Sequence, residues 1–164
     1  MTSDDVAAAA LPDAITISGT RSTDHRPLVE YREIFAEYVA PFAAPGTRFY
    51  IGGASGVDSL TLLWLASETR AELVVVVPGV LSDQPADARR AVAVVRGRGR
   101  LGELVQLAHP AHPSAEAYHH RNRWMVDRSG FVIGFPRAGI TEGGTWHTLH
   151  YAAEHRKPRL ILPV

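Results

Sequence analysis

The chain has 164 residues, a length that indicates one domain of ordinary size. It contains no cysteine, which excludes disulfides, thiolate metal sites and a cysteine nucleophile. Lys and Arg together number 17, as do Asp and Glu, so the chain as a whole has no electrostatic attraction to nucleic acid or to a membrane, and such binding would need a local basic patch.

The N-terminal residues lack the features of a targeting segment. Acids stand where a signal peptide has basic residues, and the alanine run at 7–10 is too short for its apolar region. No apolar run in the chain approaches the roughly 18 residues of a membrane span. We therefore expect residues 1–12 to form a flexible tail, residues 13–164 to form a single domain, and the protein to be cytoplasmic with no membrane partner.

Strand and helix signals alternate from one end of the chain to the other. Short β-branched or apolar runs bounded by Gly or Pro predict strands, and apolar residues at spacings of three and four predict helices. In chain order these signals predict a strand at 15–20, a helix at 27–39, a strand at 48–51, a helix at 57–69, a strand at 72–77, a helix at 83–95, a strand at 103–108, a helix at 115–127, a strand at 131–135, a helix at 145–155 and a strand at 159–162. Five or six strands joined by helices indicate an α/β fold, a Rossmann-like doubly wound parallel sheet in the order 4-3-2-1-5-6.

Three glycine-bearing turns follow predicted strands, and in a parallel sheet all three lie at the carboxyl edge, where ligands bind. They are Ser18-Gly-Thr-Arg-Ser22, Gly52-Gly-Ala-Ser-Gly-Val-Asp58 and Gly143-Gly-Thr145. Glycine lets the backbone approach a ligand, and a helix N-terminus offers free N–H groups to phosphate. The alternative is that these glycines only make tight strand-to-helix turns. The dinucleotide fingerprint G-x-G-x-x-G is absent, which argues against NAD-dependent redox chemistry.

A second candidate cluster lies on the predicted helix at 115–127. Arg121 and Arg123 carry planar cationic forks suited to phosphate, and Asn122 can hydrogen-bond a base or a backbone group. Together with Arg21, these two arginines are the residues through which the chain would bind single-stranded DNA. The alternative is a solvated helix face, with Arg121 paired to a nearby acid such as Glu116 or Asp127.

These motifs occur in one order over most of the chain, and they resemble the Smf/lonely-guy superfamily of Rossmann-like nucleotide-binding domains. The motifs are Thr16-Ile-Ser-Gly-Thr-Arg-Ser22, Ile51-Gly-Gly-Ala-Ser-Gly-Val-Asp58, Arg121-Asn-Arg-Trp-Met125, Phe131-Val-Ile-Gly-Phe135 and Gly143-Gly-Thr145. The second and third are most similar to the DNA-processing (Smf) branch, whose domain acts on single-stranded DNA through a basic pocket and usually has flanking helical and winged-helix segments. The lonely-guy branch, which hydrolyses nucleotides, has a P-G-G-x-G-T-x-x-E loop. Here Thr148 stands at the position of that loop's catalytic glutamate, and Glu142 precedes the glycines.

The sequence therefore predicts a site for a nucleotide or nucleotide-derived small molecule, with no cofactor and no metal. The expected binding residues are Gly19, Thr20 and Arg21 on one side, Gly52, Gly53, Ala54, Ser55, Gly56 and Asp58 as the phosphate cradle, Arg121 and Asn122 as an anion clamp, and Gly143, Gly144 and Thr145 on the other side. One alternative is an N-glycosidic hydrolase, for which Asp58 and Glu142 are the catalytic candidates. Another is a module that binds single-stranded DNA. We also expect a homo-oligomer.

Three further features have open interpretations. Asp58 either complements the dipole of its helix or hydrogen-bonds a ribose hydroxyl. His147 and His150 lie one turn apart, but no carboxylate or cysteine completes a metal pattern with them. The arginines between 89 and 100 form either a solvated helix end or a nucleic-acid patch.

Overall fold

The computed structural model describes residues 11–164, so residues 1–10 of the expected tail lie outside the described part of the chain. Strands and helices alternate in the predicted order. The elements are β1 (Ala14–Gly19), α1 (Leu28–Tyr38), β2 (Arg48–Gly52), α2 (Val57–Glu68), β3 (Glu72–Pro78), α3 (Ala86–Gly97), β4 (Glu103–Leu107), α4 (Ala115–Asp127), β5 (Phe131–Phe135), α5 (Gly144–Glu154) and β6 (Arg159–Ile161). Short 3₁₀ turns follow α1 and β3, at Ala40–Phe42 and Leu81–Asp83.

The six strands form one parallel sheet in the order β4-β3-β2-β1-β5-β6, which confirms the predicted fold class and strand order. The chain moves outward from β1 to β4, then crosses back so that β5 pairs with the other side of β1. The carboxyl ends of β1 and β5 therefore flank the point at which the winding direction reverses, where open α/β sheets bind their ligands.

The side chains of β1 alternate between the two faces of the sheet, and each face is covered by helices. Ile15 and Ile17 are buried in the large apolar cluster to which α1, α2 and α3 contribute. Thr16 lies on the opposite face, where its Oγ1 is 2.6 Å from Oγ of Ser129, just beyond α4. That second face is covered by α4 and α5, whose Met125 and Leu149 pack against the sheet. The layering is that of a doubly wound fold.

The third helix differs from its predicted bounds of 83–95, because local backbone bonding delays its start. Leu81–Asp83 forms a 3₁₀ turn, and the side-chain amide of Gln84 donates to the carbonyl oxygens of Pro78 and Val80. The helix then begins directly after Pro85, which has no N–H to donate. It continues to Gly97, two residues beyond its predicted end, so the connection to β4 is shorter than the sequence predicted.

Arg100, the last of the arginines between 89 and 100, has a structural role. Arg100 donates to the carbonyl oxygens of Ala66, Thr69 and Ala71, and so satisfies backbone groups at and just beyond the C-terminal end of α2.

Within residues 11–164, no helix is both long enough and apolar enough to cross a membrane.

Candidate functional site

A cavity of about 500 Å³ opens at the carboxyl ends of β1 and β5. Its volume lies in the range of small-molecule and cofactor sites. The structure brings together in its lining most of the residues that the sequence singled out: Gly19, Thr20, Arg21, Ala54, Asp58, Arg121, Asn122, Glu142, Gly143, Gly144 and Thr145. The four others, Gly52, Gly53, Ser55 and Gly56, lie outside the lining.

The N-terminus of α5 is an open edge of this cavity. Gly143 is the N-cap residue at φ 104°, a backbone conformation that favours glycine. A Cβ added at Gly143 or Gly144 would meet no atom within 4 Å, so nothing in the chain fills the space before them. The amides of Gly144, Thr145 and Trp146 donate to no acceptor in the described part of the chain. Free N–H groups at a helix start favour an anion.

The β2–α2 loop, by contrast, is closed by the protein itself. A Cβ at Gly53 would collide with the Val77 side chain, and one at Gly56 would come within 2.5 Å of the Thr20 and Arg21 carbonyl oxygens. The Val57 amide already donates to the Thr20 oxygen, at 3.0 Å. The atoms that closely approach Gly53 and Gly56 thus belong to the protein, which favours the interpretation of these two glycines as turn residues. Ser55 is turned toward α3, where its Oγ donates to Asp87 at 2.7 Å.

Arg121 is a buried cation at the floor of the cavity, with only 3% of its surface exposed. Its Nη1 donates to the Val76 carbonyl oxygen at 2.9 Å, and its Nε donates to Oδ1 of Asn122 at 2.7 Å. Burial lowers the pKa of Arg121, and the charge of Asp58 opposes that shift. Gly52 makes room for this arrangement, because any Cβ there would collide with the guanidinium. The remaining nitrogen, Nη2, has no partner in the structure and is not fully enclosed.

The acids proposed as alternative partners of Arg121 are bound elsewhere. Glu116 accepts a hydrogen bond from Arg123 at 2.6 Å, and Asp127 accepts one from the Tyr151 hydroxyl at 2.8 Å. Arg121 is therefore not held by a surface ion pair on its own helix.

Asp58 is a buried carboxyl group in the same cavity lining, with 5% of its surface exposed. Its Oδ1 is enclosed and has no hydrogen-bond partner among residues 11–164. Burial raises the pKa of Asp58 from its ordinary 3.8 to about 7, although the charges of Arg121 and Arg21 and a backbone hydrogen bond from Ala54 act in the opposite direction. Asp58 therefore lies both in the first turn of α2, where an acid complements the helix dipole, and in the cavity lining.

Several cavity residues could not be singled out from the sequence, because tertiary packing alone brings them there. Tyr118 comes from the first half of α4, Arg137 from the loop after β5, and Trp146 from the start of α5. The guanidinium of Arg21 lies 4.5 Å from the centroid of the Tyr118 ring. The Arg137 guanidinium, at the opening of the cavity, donates to Oγ of Ser22 at 3.0 Å. The only sequence signal was the aromatic and basic composition at 118–123.

The candidate metal-ligating histidines are engaged in ring stacking. His147 stacks on His119, with ring centroids 3.8 Å apart and an interplanar angle of 10°. His150 lies against the Trp146 ring, at 5.7 Å between centroids. Among residues 11–164, no group of three or more His, Asp or Glu side chains has the geometry to hold a metal ion. At the position of the lonely-guy glutamate, Thr148 is buried and its Oγ1 donates to the Gly144 oxygen at 3.0 Å.

Fold and cavity together define a Rossmann-like α/β domain with a cavity at its topological switch point. No protein-family model matches the chain, and no curated protein matches it. Among solved structures, the chain is similar to DNA processing protein A from Helicobacter pylori, described for its single-stranded DNA binding mode, with a TM-score of 0.67 and 19% sequence identity. The likeness covers 94% of this chain and 66% of the other, and at this identity it is a likeness of fold.

Proposed function

We propose that the cavity binds a nucleotide or a nucleotide-derived small molecule, with a phosphate group at the N-terminus of α5. The observation that carries this proposal is the combination, around one cavity, of three arginines with a helix start whose first amides have no acceptor among residues 11–164. Arg21, Arg121 and Arg137 all line it, although the formal net charge of the chain is zero. Charge-assisted bonds from guanidinium groups and free helix amides both favour phosphate oxygens.

We also propose that the chain belongs to the Smf/lonely-guy superfamily, nearest to its DNA-processing branch. The ordered motifs support this assignment, and so does the fold likeness to DNA processing protein A. The cavity lies where the motif glycines before α5 and the arginine of α4 meet.

A thermal-shift screen tests the binding proposal directly. Nucleoside mono-, di- and triphosphates should raise the melting temperature, since a ligand present at 100 times its Kd stabilises the folded state by about 2.7 kcal/mol. Nucleosides without phosphate should raise it much less. The absence of any shift with every nucleotide at millimolar concentration would contradict the proposal.

Single-stranded DNA is a second candidate ligand, favoured by the fold likeness to a protein studied for its single-stranded DNA binding. The two candidates differ in their salt dependence. For a single strand, log K falls against log salt with a slope of about −0.7 per neutralised phosphate, so contacts to several phosphates give a steep dependence. For a mononucleotide that contacts the protein through one phosphate group, the affinity depends only weakly on the salt concentration. Titrations of oligo(dT) and of mononucleotides over a range of salt concentrations distinguish them.

Hydrolysis is not part of the proposed function. Asp58 and Glu142 both line the cavity, but Thr148 occupies the position at which the lonely-guy loop has its glutamate. We expect nucleoside monophosphates to stay intact on incubation with the protein, as checked by chromatography of the released base. Robust base release would instead assign a catalytic role to Asp58 or Glu142.

A further inference from the structure

Asp58 is a cavity residue for which the proposed function does not yet account. It is nine-tenths buried, it lines the cavity, and its Oδ1 has no hydrogen-bond partner among residues 11–164. A backbone hydrogen bond from Ala54 is the one that favours its charged form. Leaving a buried polar atom without a hydrogen bond costs free energy, and such groups in folded proteins are usually satisfied by a partner. A ligand in the cavity can supply the further donor that the described residues do not.

The nearest cation does not supply it. A Cβ placed on Gly52 would touch both Nη1 of Arg121 and Oδ2 of Asp58, so the two side chains lie over the same point of β2. No nitrogen of Arg121, however, lies within 4.0 Å of a carboxyl oxygen of Asp58. Arg121 donates instead to the Val76 carbonyl and to Asn122. A carboxyl acceptor and a guanidinium donor thus stand side by side without contact.

A hydroxyl group matches this pair of neighbours, because it donates one hydrogen bond and accepts others. It can donate to Asp58 and accept from the free Nη2 of Arg121. The free amides at the start of α5 offer only donors, so they suit the phosphate, while a hydroxyl suits the mixed donor and acceptor groups of Arg121 and Asp58. The flat surfaces suited to a base are the rings of Tyr118 and Trp146, on the two helices that flank the cavity.

We propose that Asp58 and Arg121 bind the ribose hydroxyls of the ligand, so that the site selects ribonucleotides over 2′-deoxyribonucleotides. This inference rests on the proposed function, since it names the sugar of the nucleotide bound there. It also separates this site from one for single-stranded DNA, which lacks the 2′-hydroxyl.

Calorimetric titration with AMP, GMP, CMP and UMP and their 2′-deoxy counterparts tests the inference. We expect the wild-type protein to prefer the ribose form of its best ligand by about tenfold or more, the effect of one hydrogen bond to a charged group. In Asp58→Ala the preference should fall to within about twofold, and Asp58→Asn, which keeps an acceptor, should restore part of it. Glu33→Ala removes an exposed carboxyl group on α1 outside the cavity lining; it is the control and should keep the wild-type preference.

The ratio of the two affinities is insensitive to partial unfolding, because unfolding lowers both equally. Equal binding of ribose and deoxyribose forms to the wild type overturns the inference and leaves the proposed function in place. So does a preference that survives in Asp58→Ala, since another group then binds the hydroxyl. If no mononucleotide binds at all, the proposed function itself fails. Binding of oligo(dT) alone supports the second candidate and overturns the inference as well.

Discussion

Arg121 reaches from α4 to the backbone of β3, where its Nη1 donates to the carbonyl oxygen of Val76 at 2.9 Å. This bond joins a helix on one face of the sheet to a strand two places away from β1 in the sheet order. It fixes the guanidinium beneath the cavity and uses only part of its hydrogen-bonding capacity.

Arg121→Ala should therefore change two quantities at once. Removing the guanidinium leaves the Val76 oxygen without this donor, so the melting temperature should fall by about 2–4 °C for each kcal/mol lost. It also removes a charge-assisted bond to the ligand, worth about 1.5–3 kcal/mol, so nucleotide affinity should fall at least tenfold. Arg121→Lys keeps the charge but not the fork and should recover only part of the affinity. Calorimetry and thermal melting measure the two effects.

Arg128→Ala is the matched control for this prediction. Arg128 immediately follows α4 but is exposed, with its guanidinium 3.7 Å from the centroid of the Trp124 ring. Its loss should leave nucleotide affinity unchanged. Equal affinities for the two alanine variants would remove Arg121 from the binding site.

Gly144→Asp should weaken phosphate binding without harming the fold. The space before Gly144 is open, and an acid in the first turn of a helix stabilises it by about 0.3–1 kcal/mol. The same carboxylate would compete with a ligand phosphate for the free amides of α5, so affinity should fall at least about tenfold. Ala86→Asp places an acid at the same position of α3, away from the cavity, and should leave binding intact. Unchanged affinity in Gly144→Asp would place the phosphate elsewhere.

The pH dependence of stability should report on Asp58. Because the pKa of Asp58 is raised to about 7, folding favours the protonated carboxyl group, and unfolding releases a proton between about 4 and 7. Its contribution to stability is therefore present at low pH and is lost as the pH rises through about 7. Asp58→Asn removes the buried charge and should melt at a higher temperature than the wild type above pH 7, with the difference shrinking toward pH 4. A constant difference over this range would show that Asp58 titrates normally.

Gly52→Ala should destabilise the protein through Arg121. The new Cβ would occupy the space of the guanidinium, so the bond to Val76 must shift, at a cost of about 1–3 kcal/mol for overpacking. Gly97→Ala adds the same methyl group in open space near the end of α3 and should be neutral or stabilising by up to about 1 kcal/mol. Denaturant unfolding of both variants measures the difference. A Gly52→Ala variant as stable as Gly97→Ala would show that the guanidinium moves freely.

The fold class was predictable because strands and helices have distinct periods and most of them end at glycine or proline, although the start of α3 was not. The alternation of strands and helices predicts a parallel sheet. The glycine-rich segment 52–56 shows why the binding residues could not all be predicted. Glycine is required both where the backbone approaches a ligand and where it approaches another segment of the chain. Only the position of Val77 and of the Thr20 and Arg21 carbonyls shows that Gly53 and Gly56 meet protein. Likewise, no sequence pattern places Tyr118 and Arg137 in one cavity, because they are brought together by the packing of α4 over β1 and β5.

The position of β1 between β2 and β5 has a consequence for the order in which the protein folds. During synthesis, residues 14–107 can assemble strands β4, β3, β2 and β1, but the partner strand Phe131–Phe135 follows later. Until it emerges, one side of β1 is an edge with unpaired backbone groups, a state prone to pairing with other chains. Arg121 and the start of α5 also lie beyond residue 107. A nascent chain truncated at residue 107 would expose this edge and would lack most of the cavity lining.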